Sequence, residues 1–309
     1  MPGLVDHDYV SMTLEFRCNL KCEHCMIEGT MDYLQAEPPQ KFDELLAYNA
    51  EHRRWSGLIM TGSEITLRHD LPELATRARK SGFDHVRIQT HGMRLSNMEY
   101  CRELIDAGVD EFFVSVISGD RDTHDAVARV ARAYDRTMAG LENLESFADV
   151  SSLTNTVVTS RNYSQLPALV ERLSHLKRLR QMEFWVYLPM AESDSKGLIA
   201  SHLDARPFLL EAVRALRAAG RGAVVKHYPQ CLLGDYADAL DNAQPKLFID
   251  PAFWKQFSRN GFGQCVHSQT CASKQCLGLT TAYIEKFGLH EQELVPIGKE
   301  SPERRHEVV

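Results

Sequence analysis

Arg17-Cys18-Asn19-Leu20-Lys21-Cys22-Glu23-His24-Cys25 carries three cysteines with the spacing C-x3-C-x2-C. Three thiolates can hold three irons of a 4Fe–4S cluster and leave the fourth iron without a protein ligand, whereas a ferredoxin normally supplies a fourth cysteine. An open coordination position on a metal is a place for chemistry. Zinc is the alternative, but zinc prefers four ligands in paired knuckles, and His24 would have to be the fourth.

Composition limits the class of protein. The chain has 309 residues, 44% of them hydrophobic, and a formal charge of -7, which argues against a nucleic-acid partner because such a partner favours a basic face. Residues 1–10 contain no apolar signal core, and no stretch approaches the roughly 18 apolar residues of a membrane helix. We therefore expect a cytoplasmic protein with no membrane partner, in which clustered cysteines bind metal more often than they form disulfides.

Short apolar runs alternate with longer amphipathic stretches, which is the pattern of βα units. The predicted strands cover 12–17, 57–61, 85–90, 111–116, 153–158 and 181–188. The predicted helices cover 41–55, 71–81, 97–107, 134–147, 163–176 and 206–219. Six such units predict an α/β fold, a partial (β/α)6 barrel over residues 1–219, followed by a small Cys-rich extension over 220–309. Ligands bind at the carboxyl ends of such strands, where the loop from Cys18 begins.

The three-cysteine run resembles the C-x3-C-x-aromatic-C motif of the radical S-adenosylmethionine superfamily, with His24 at the aromatic position. The resemblance implies that the methionyl group of S-adenosylmethionine chelates the open iron. It further implies that the reduced cluster cleaves this cofactor to methionine and a 5′-deoxyadenosyl radical, which takes a hydrogen atom from a substrate. A reductant such as flavodoxin or ferredoxin is then required, and the protein supplies binding, orientation and a dry site.

Later segments at predicted strand ends extend the resemblance. Thr61-Gly62-Ser63-Glu64-Ile65-Thr66-Leu67 resembles the superfamily's T-G-G-E-P-T-L turn, with Ser63 for the second glycine and Ile65 for proline. Ile88-Gln89-Thr90-His91-Gly92 resembles I-x-T-N-G with histidine for asparagine, and we assign that histidine no catalytic role. Phe113-Val114-Ser115-Val116 resembles the fourth-strand serine, and 153–158 the fifth unit. The residues that the resemblance implies for cofactor binding are His24, Gly62, Ser63, Glu64, Thr90, Ser115 and Asn155.

A second cysteine group lies in the irregular segment after residue 220. Its members are Cys231, Cys265, Cys271 and Cys276. Four cysteines match the ligand count of a closed 4Fe–4S cluster, and zinc held by four cysteines is the alternative. The segment resembles the shortened auxiliary-cluster domains (SPASM or twitch) of some superfamily members, although the usual C-x2-C step is absent. Cys101 stands apart on a predicted helix and is expected to pack in the core.

These features predict a radical S-adenosylmethionine enzyme with two 4Fe–4S clusters. No peptide-binding module precedes the first predicted strand, which favours a small polar substrate, such as a sugar or aminocyclitol, with epimerisation or dehydrogenation as the outcome. Radical modification of a ribosomally made peptide is an alternative. A non-catalytic iron–sulfur carrier or maturation scaffold is another, and a zinc-binding nucleic-acid module is a third.

Overall fold

One parallel sheet organises the fold. A computed structural model describes residues 8–27, 29 and 31–298, and within those residues eight strands pair in the order β7-β6-β5-β4-β3-β2-β1-β8. Every neighbouring pair runs parallel. The strands are β1 Tyr9–Glu15, β2 Gly57–Gly62, β3 His85–Thr90, β4 Glu111–Ser115, β5 Ser151–Val158, β6 Leu179–Val186, β7 Gly222–Lys226 and β8 Lys246–Phe248.

Helices connect most of the strands and pack on the outer face of the sheet. They are α1 Pro39–His52, α2 Leu71–Lys80, α3 Met98–Asp106, α4 Arg121–Ala128, α5 Ala133–Leu144, α6 Leu166–Arg172, α7 His202–Ala218, α8 Ala252–Phe257 and α9 Thr281–Phe287. Local sequence sets where several begin: the Asn97 side chain accepts the backbone N–H groups of Glu99 and Tyr100 at 2.9 and 3.3 Å and so caps α3. No helix in the described part of the chain is both long and apolar enough to cross a membrane.

The two faces of the sheet differ in polarity. Val10, Met12 and Leu14 of β1 belong to the main apolar core, whereas the alternating Ser11, Thr13 and Glu15 do not. The inner face also holds a buried ion pair, in which Arg87 Nε donates to Glu111 Oε2 at 2.8 Å, with the Arg87 guanidinium carbon 4.8 Å from the Tyr9 ring centroid. Strands buried on both faces are usually apolar throughout. The polar inner face therefore favours a ligand site inside the curve of the sheet.

The predicted partial barrel is confirmed, but its sheet has two strands more than the six expected. Both additional strands, β7 and β8, come after residue 219, where the barrel was expected to end. The short β8 pairs with β1, so that Val10 lies opposite Lys246 and Met12 opposite Phe248. The C-terminal segment thus contributes to the barrel itself, and the functional division at residue 219 stays a prediction.

The C-terminal segment is fixed to the barrel through α9. The Tyr283 hydroxyl accepts the backbone N–H of His202 at 2.9 Å, and the two rings stack with centroids 3.9 Å apart. The Tyr228 hydroxyl donates to the His202 carbonyl at 2.7 Å. These contacts enclose His202, and burial lowers its pKa to about 3. The start of α7 therefore serves as the docking point for the last described helix.

The expected core position of Cys101 is confirmed. It lies on α3 with no exposed surface, and its Sγ donates to the Leu95 carbonyl at 3.0 Å. Burial raises the pKa of this thiol to about 11, so it is a protonated, unreactive group at neutral pH.

Candidate cluster and cofactor site

The three-cysteine loop follows β1 and rests on the end of α4. The backbone N–H groups of Lys21 and Glu23 donate to the carbonyls of Ala128 and Val127 at 3.3 and 2.8 Å. Leu20 packs into a small apolar cluster that includes Val127. The sequence analysis did not predict α4, because its eight residues lie in a stretch that we interpreted as a connection.

The loop also holds its sulfur atoms in an ordered setting. The Leu20 N–H donates to Cys18 Sγ at 3.4 Å, and the Cys25 N–H donates to the Cys22 carbonyl at 3.0 Å. The second bond closes a turn that brings Cys22 and Cys25 to the same end of the loop. Lys196 Nζ donates to the Cys25 carbonyl at 3.3 Å. The donor set of three thiols with an N–H directed at sulfur suits an iron–sulfur cluster.

His24 lies between Cys22 and Cys25. Its Nδ1 is shielded from solvent and has no hydrogen-bond partner among the described residues. Desolvation lowers the pKa of the His24 imidazole to about 4, so the ring is neutral at pH 7. A buried polar atom without a partner is unusual in a folded protein. The predicted cofactor would supply that partner, so the residues present fit it.

The turn after β2 is bonded to the start of the cysteine loop. Ser63 N–H donates to the Glu15 carbonyl at 2.7 Å, and Glu64 N–H donates to the Arg17 carbonyl at 3.1 Å. Gly62 lies so close to β1 that a Cβ placed on it would come within 1.8 Å of the Glu15 carbonyl oxygen. Two motifs that are distant in sequence are therefore adjacent through backbone contact.

Glu64 lies beneath this turn with no exposed surface. Its Oε1 accepts the Thr66 backbone N–H at 3.0 Å, the Thr66 hydroxyl at 2.5 Å and the Thr90 hydroxyl at 2.6 Å. Its Oε2 accepts the His91 backbone N–H at 2.8 Å. Contact between Glu64 and the cofactor ammonium stays a prediction, because one of these donors would have to move to admit it.

Ser115 and Asn155 lie side by side on the inner face. They are opposite each other in the register of β4 and β5, and Asn155 is opposite Glu183 of β6. Ser115 and Asn155 are both half-buried, so their side chains reach the interior without being enclosed. These three residues form one polar layer near the carboxyl ends of the central strands.

The next layer brings Trp185, which its place near the end of the sixth strand made a candidate for substrate or adenine contact, together with two residues that the sequence analysis missed, Glu183 and Lys226. Trp185 Nε1 donates to Glu183 Oε2 at 2.7 Å, and Lys226 Nζ lies 5.8 Å from the Trp185 ring centroid. The Lys226 ammonium donates to the Asp241 and Ala243 carbonyls at 3.0 and 3.3 Å. The alternation of Gln181, Glu183 and Trp185 along β6 was the signal that could have indicated Glu183. Lys226 could not be found, because β7 was not predicted.

The second cysteine group surrounds one cavity. Cys231, Cys265, Cys271 and Cys276 all line it. The sulfur atoms of Cys265, Cys271 and Cys276 each accept a backbone N–H at 3.4 Å, from His267, Ile297 and Gly278 respectively. Hydrogen bonds of this kind favour the thiolate form that iron requires.

A glycine packs tightly beside the second cysteine group. Gly278, two residues after Cys276, has a φ of +67°, and a Cβ there would approach the Gly263 carbonyl carbon to 3.0 Å.

Across residues 8–27, 29 and 31–298, no group of three His, Cys, Asp or Glu side chains converges on a point that would hold a single metal ion. The cysteines instead lie around the cavity wall, and the donor set of four thiols fits a cluster.

Comparison with known proteins identifies one family and several relatives that match part of the chain. The family model described as Radical SAM superfamily matches residues 14–173. A probable GTP 3',8-cyclase from Methanopyrus kandleri is 32% identical over 171 residues, which cover 55% of this chain and 54% of that protein. An Fe-coproporphyrin III synthase from Methanosarcina barkeri is 31% identical over 166 residues, which cover 52% of this chain and 39% of that protein. The chain thus spans about half the length, or less, of these relatives.

Solved structures resemble the fold at low identity. The structure of anSMEcpe with bound AdoMet and a Kp18Cys peptide matches with a TM-score of 0.55 and 14% identity, covering 68% of this chain and 60% of that one. Methylornithine synthase matches with a TM-score of 0.53 and 8% identity, covering 79% of this chain and 75% of that one. At these identities the likeness shows the fold alone.

Proposed function

This chain belongs to the radical SAM superfamily, whose members use S-adenosylmethionine and a 4Fe–4S cluster, and on that premise we propose that it is an enzyme acting on a small polar substrate. Cys18, Cys22 and Cys25 are the proposed ligands of the cluster. When bound, the cluster and cofactor would supply the chemistry that removes a hydrogen atom from the substrate, with one electron drawn from a flavodoxin- or ferredoxin-type donor. The observation that carries the proposal is the backbone junction between the cysteine loop and the turn after β2.

The chain's own residues bind and orient these groups. Burial raises the pKa of the Cys18 thiol to about 11, and the N–H of Leu20, which donates to its Sγ, opposes that rise. The neutral ring of His24 presents an unpartnered nitrogen, Nδ1, next to two of the proposed ligands. Gly62 and Ser63 bring the turn after β2 into direct backbone contact with the end of β1, beside the loop.

The inner face supports a substrate that offers hydrogen-bonding groups. Asn155, Glu183, Trp185 and Lys226 line the carboxyl half of β5, β6 and β7. A buried polar lining rejects ligands that leave its groups unpaired, so an apolar substrate is disfavoured. The curated relatives are named for GTP cyclisation and Fe-coproporphyrin III synthesis, so they do not support the sugar or aminocyclitol that we expected. We therefore propose the coarser class, a small polar molecule, with hydrogen abstraction as its first step.

For the C-terminal segment we propose a second 4Fe–4S cluster held by Cys231, Cys265, Cys271 and Cys276. The shared cavity and the N–H groups directed at three of the sulfur atoms support it. Four protein ligands leave no open iron, so we propose that this cluster serves electron transfer or stability rather than substrate chelation. On this proposal residues 220–309 form a functional unit although two of their strands belong to the barrel sheet.

The primary test is cofactor cleavage. Anaerobically reconstituted protein, reduced with dithionite and given S-adenosylmethionine, is expected to release 5′-deoxyadenosine and methionine, both measured by liquid chromatography. Cys22→Ala should lower that release more than about 100-fold, beyond the 10–100-fold typical of residues that only support metal ligands. Cys101→Ala is the matched control and should retain activity. If the wild type carries iron but releases no 5′-deoxyadenosine, the carrier or scaffold alternative is favoured instead.

The second test is metal content. Two four-iron clusters correspond to about eight irons per chain. The double variant Cys265→Ala, Cys276→Ala should retain about four irons together with the ability to cleave S-adenosylmethionine. Cys101→Ala should again match the wild type. An unchanged iron content in the double variant, or one equivalent of zinc in the wild type, would contradict the second cluster.

A further inference from the structure

His91 connects two parts of the proposed site. It follows β3, and only 8% of its surface is exposed to solvent. Its Nε2 lies 2.7 Å from Asn19 Oδ1 and 3.1 Å from Glu64 Oε2. Asn19 stands between Cys18 and Cys22 in the cysteine loop. One imidazole nitrogen therefore touches both the loop that carries the proposed ligands and the carboxylate beneath the turn after β2.

The hydrogen bonds fix the tautomer of this ring. The Met93 backbone N–H lies 3.2 Å from His91 Nδ1, so Nδ1 is an acceptor. A neutral imidazole with an accepting Nδ1 carries its proton on Nε2. Burial lowers the pKa of His91, which keeps the ring neutral. The Nε2–H group thus donates to Asn19 Oδ1, and Glu64 Oε2 lies 3.1 Å from the same nitrogen while accepting the His91 backbone N–H at 2.8 Å.

Backbone contacts leave the middle of the loop open to this side chain. Glu64 N–H holds the loop at the Arg17 carbonyl, and the Ala128 carbonyl holds it at Lys21 N–H. Asn19 lies midway between these two backbone bonds, next to the first proposed ligand. Its side-chain oxygen is the point at which His91 reaches the loop.

We propose that His91 is a positioning residue that joins the cysteine loop to Glu64 and so fixes the first cluster relative to the cofactor-binding edge. This inference rests on the proposed function. It gives a role to His91, which stands where the superfamily motif has asparagine. The shorter asparagine side chain would not reach from the end of β3 to Asn19. Loss of the bond should loosen the Cys18 side of the loop while leaving the fold intact.

A matched pair of variants tests the role. His91→Gln keeps a long side chain with an N–H donor, whereas His91→Leu has similar bulk and no donor. The reduced, reconstituted holoprotein is mixed with an Fe(II) chelator and the rate of iron release is recorded, and S-adenosylmethionine binding is measured by equilibrium dialysis. His91→Leu should release iron about tenfold faster and bind the cofactor about tenfold more weakly, the upper end of the effect of one lost hydrogen bond. His91→Gln should stay within about threefold of the wild type.

The loop side supplies a second variant if His91→Leu fails to fold. Asn19 is exposed, so Asn19→Ala should fold and should reproduce the fast iron release. The double variant Asn19→Ala, His91→Leu should be no worse than either single variant, because both remove one interaction. Equal behaviour of His91→Leu and His91→Gln, or additive effects in the double variant, would overturn the inference. A wild type that binds no cluster would instead refute the proposed function, so the two failures are distinguishable.

Discussion

Gly62→Ala is expected to destabilise the protein by about 2–5 kcal/mol, the sum of backbone strain and overpacking, and to eliminate S-adenosylmethionine binding. The added methyl group would come within 1.8 Å of the Glu15 carbonyl oxygen and 2.7 Å of its carbonyl carbon. Both contacts are with backbone, which cannot rotate away. The end of β2 would have to separate from β1, which breaks the Ser63–Glu15 and Glu64–Arg17 bonds that join the two motifs.

A matched glycine separates the steric effect from the effect of backbone conformation. Gly220 has a φ of +70°, and nothing lies within 4 Å of the position that its Cβ would occupy. Gly220→Ala should therefore cost only about 1–2 kcal/mol, the strain of a left-handed alanine. Equilibrium unfolding in denaturant gives both values. If Gly62→Ala proves no more destabilising than Gly220→Ala and still binds the cofactor, the close junction between β1 and β2 is contradicted.

Mild acid is expected to destabilise the protein by about 5 kcal/mol between pH 7.5 and pH 5.5, through the buried histidines His24, His124, His202 and His227. Burial lowers the pKa of His202 to about 3 and that of each of the other three to about 4. Below pH 6.5 the unfolded chain takes up protons on these residues and the folded chain does not. Stability is therefore complete above pH 6.5 and is lost as the pH falls toward the folded pKa values.

Each histidine can be tested by its own substitution. His202→Gln should reduce the pH-dependent loss of unfolding free energy by about a quarter, because one of four titrating groups is removed. Variant and wild type are compared at both pH 7.5 and pH 5.5, so any acid sensitivity of bound iron affects the two proteins equally. His175→Gln is the control, since that side chain is 50% exposed. A loss at pH 5.5 that His202→Gln leaves unchanged would refute this assignment.

The sequence predicted the central strands well and the sheet edges poorly. β2 to β6 alternate with amphipathic helices, so their local pattern is sufficient. β8 contains only Lys246, Leu247 and Phe248, and it is a strand because β1 offers a free edge, which no local pattern reveals. β1 ends at Glu15 rather than at Arg17 as predicted, because the carbonyls of these two residues bond to the turn after β2.

In the candidate site, too, the sequence predicted features that depend on neighbouring residues and missed those that depend on residues far apart in the chain. The cysteine spacing is local, so both cysteine groups were recognised before their surroundings were known. Glu64 was expected to contact the cofactor, but its donors Thr90 and His91 lie at the end of another strand, 26 and 27 residues later. His91 was given no role because its partner Asn19 is 72 residues away in sequence. Roles that depend on such pairings require the fold.

The pairing of β8 with β1 has a consequence for biosynthesis. β1 leaves the ribosome before the seven other described strands, yet one of its edges lacks a partner until Lys246 to Phe248 have been made. An unpaired strand edge is prone to association with other chains, and contacts between distant segments form slowly. The nascent chain therefore carries its first cysteine loop on an incompletely paired strand until β8 has been made. Iron delivered before then would meet a loop whose supporting strand is still exposed.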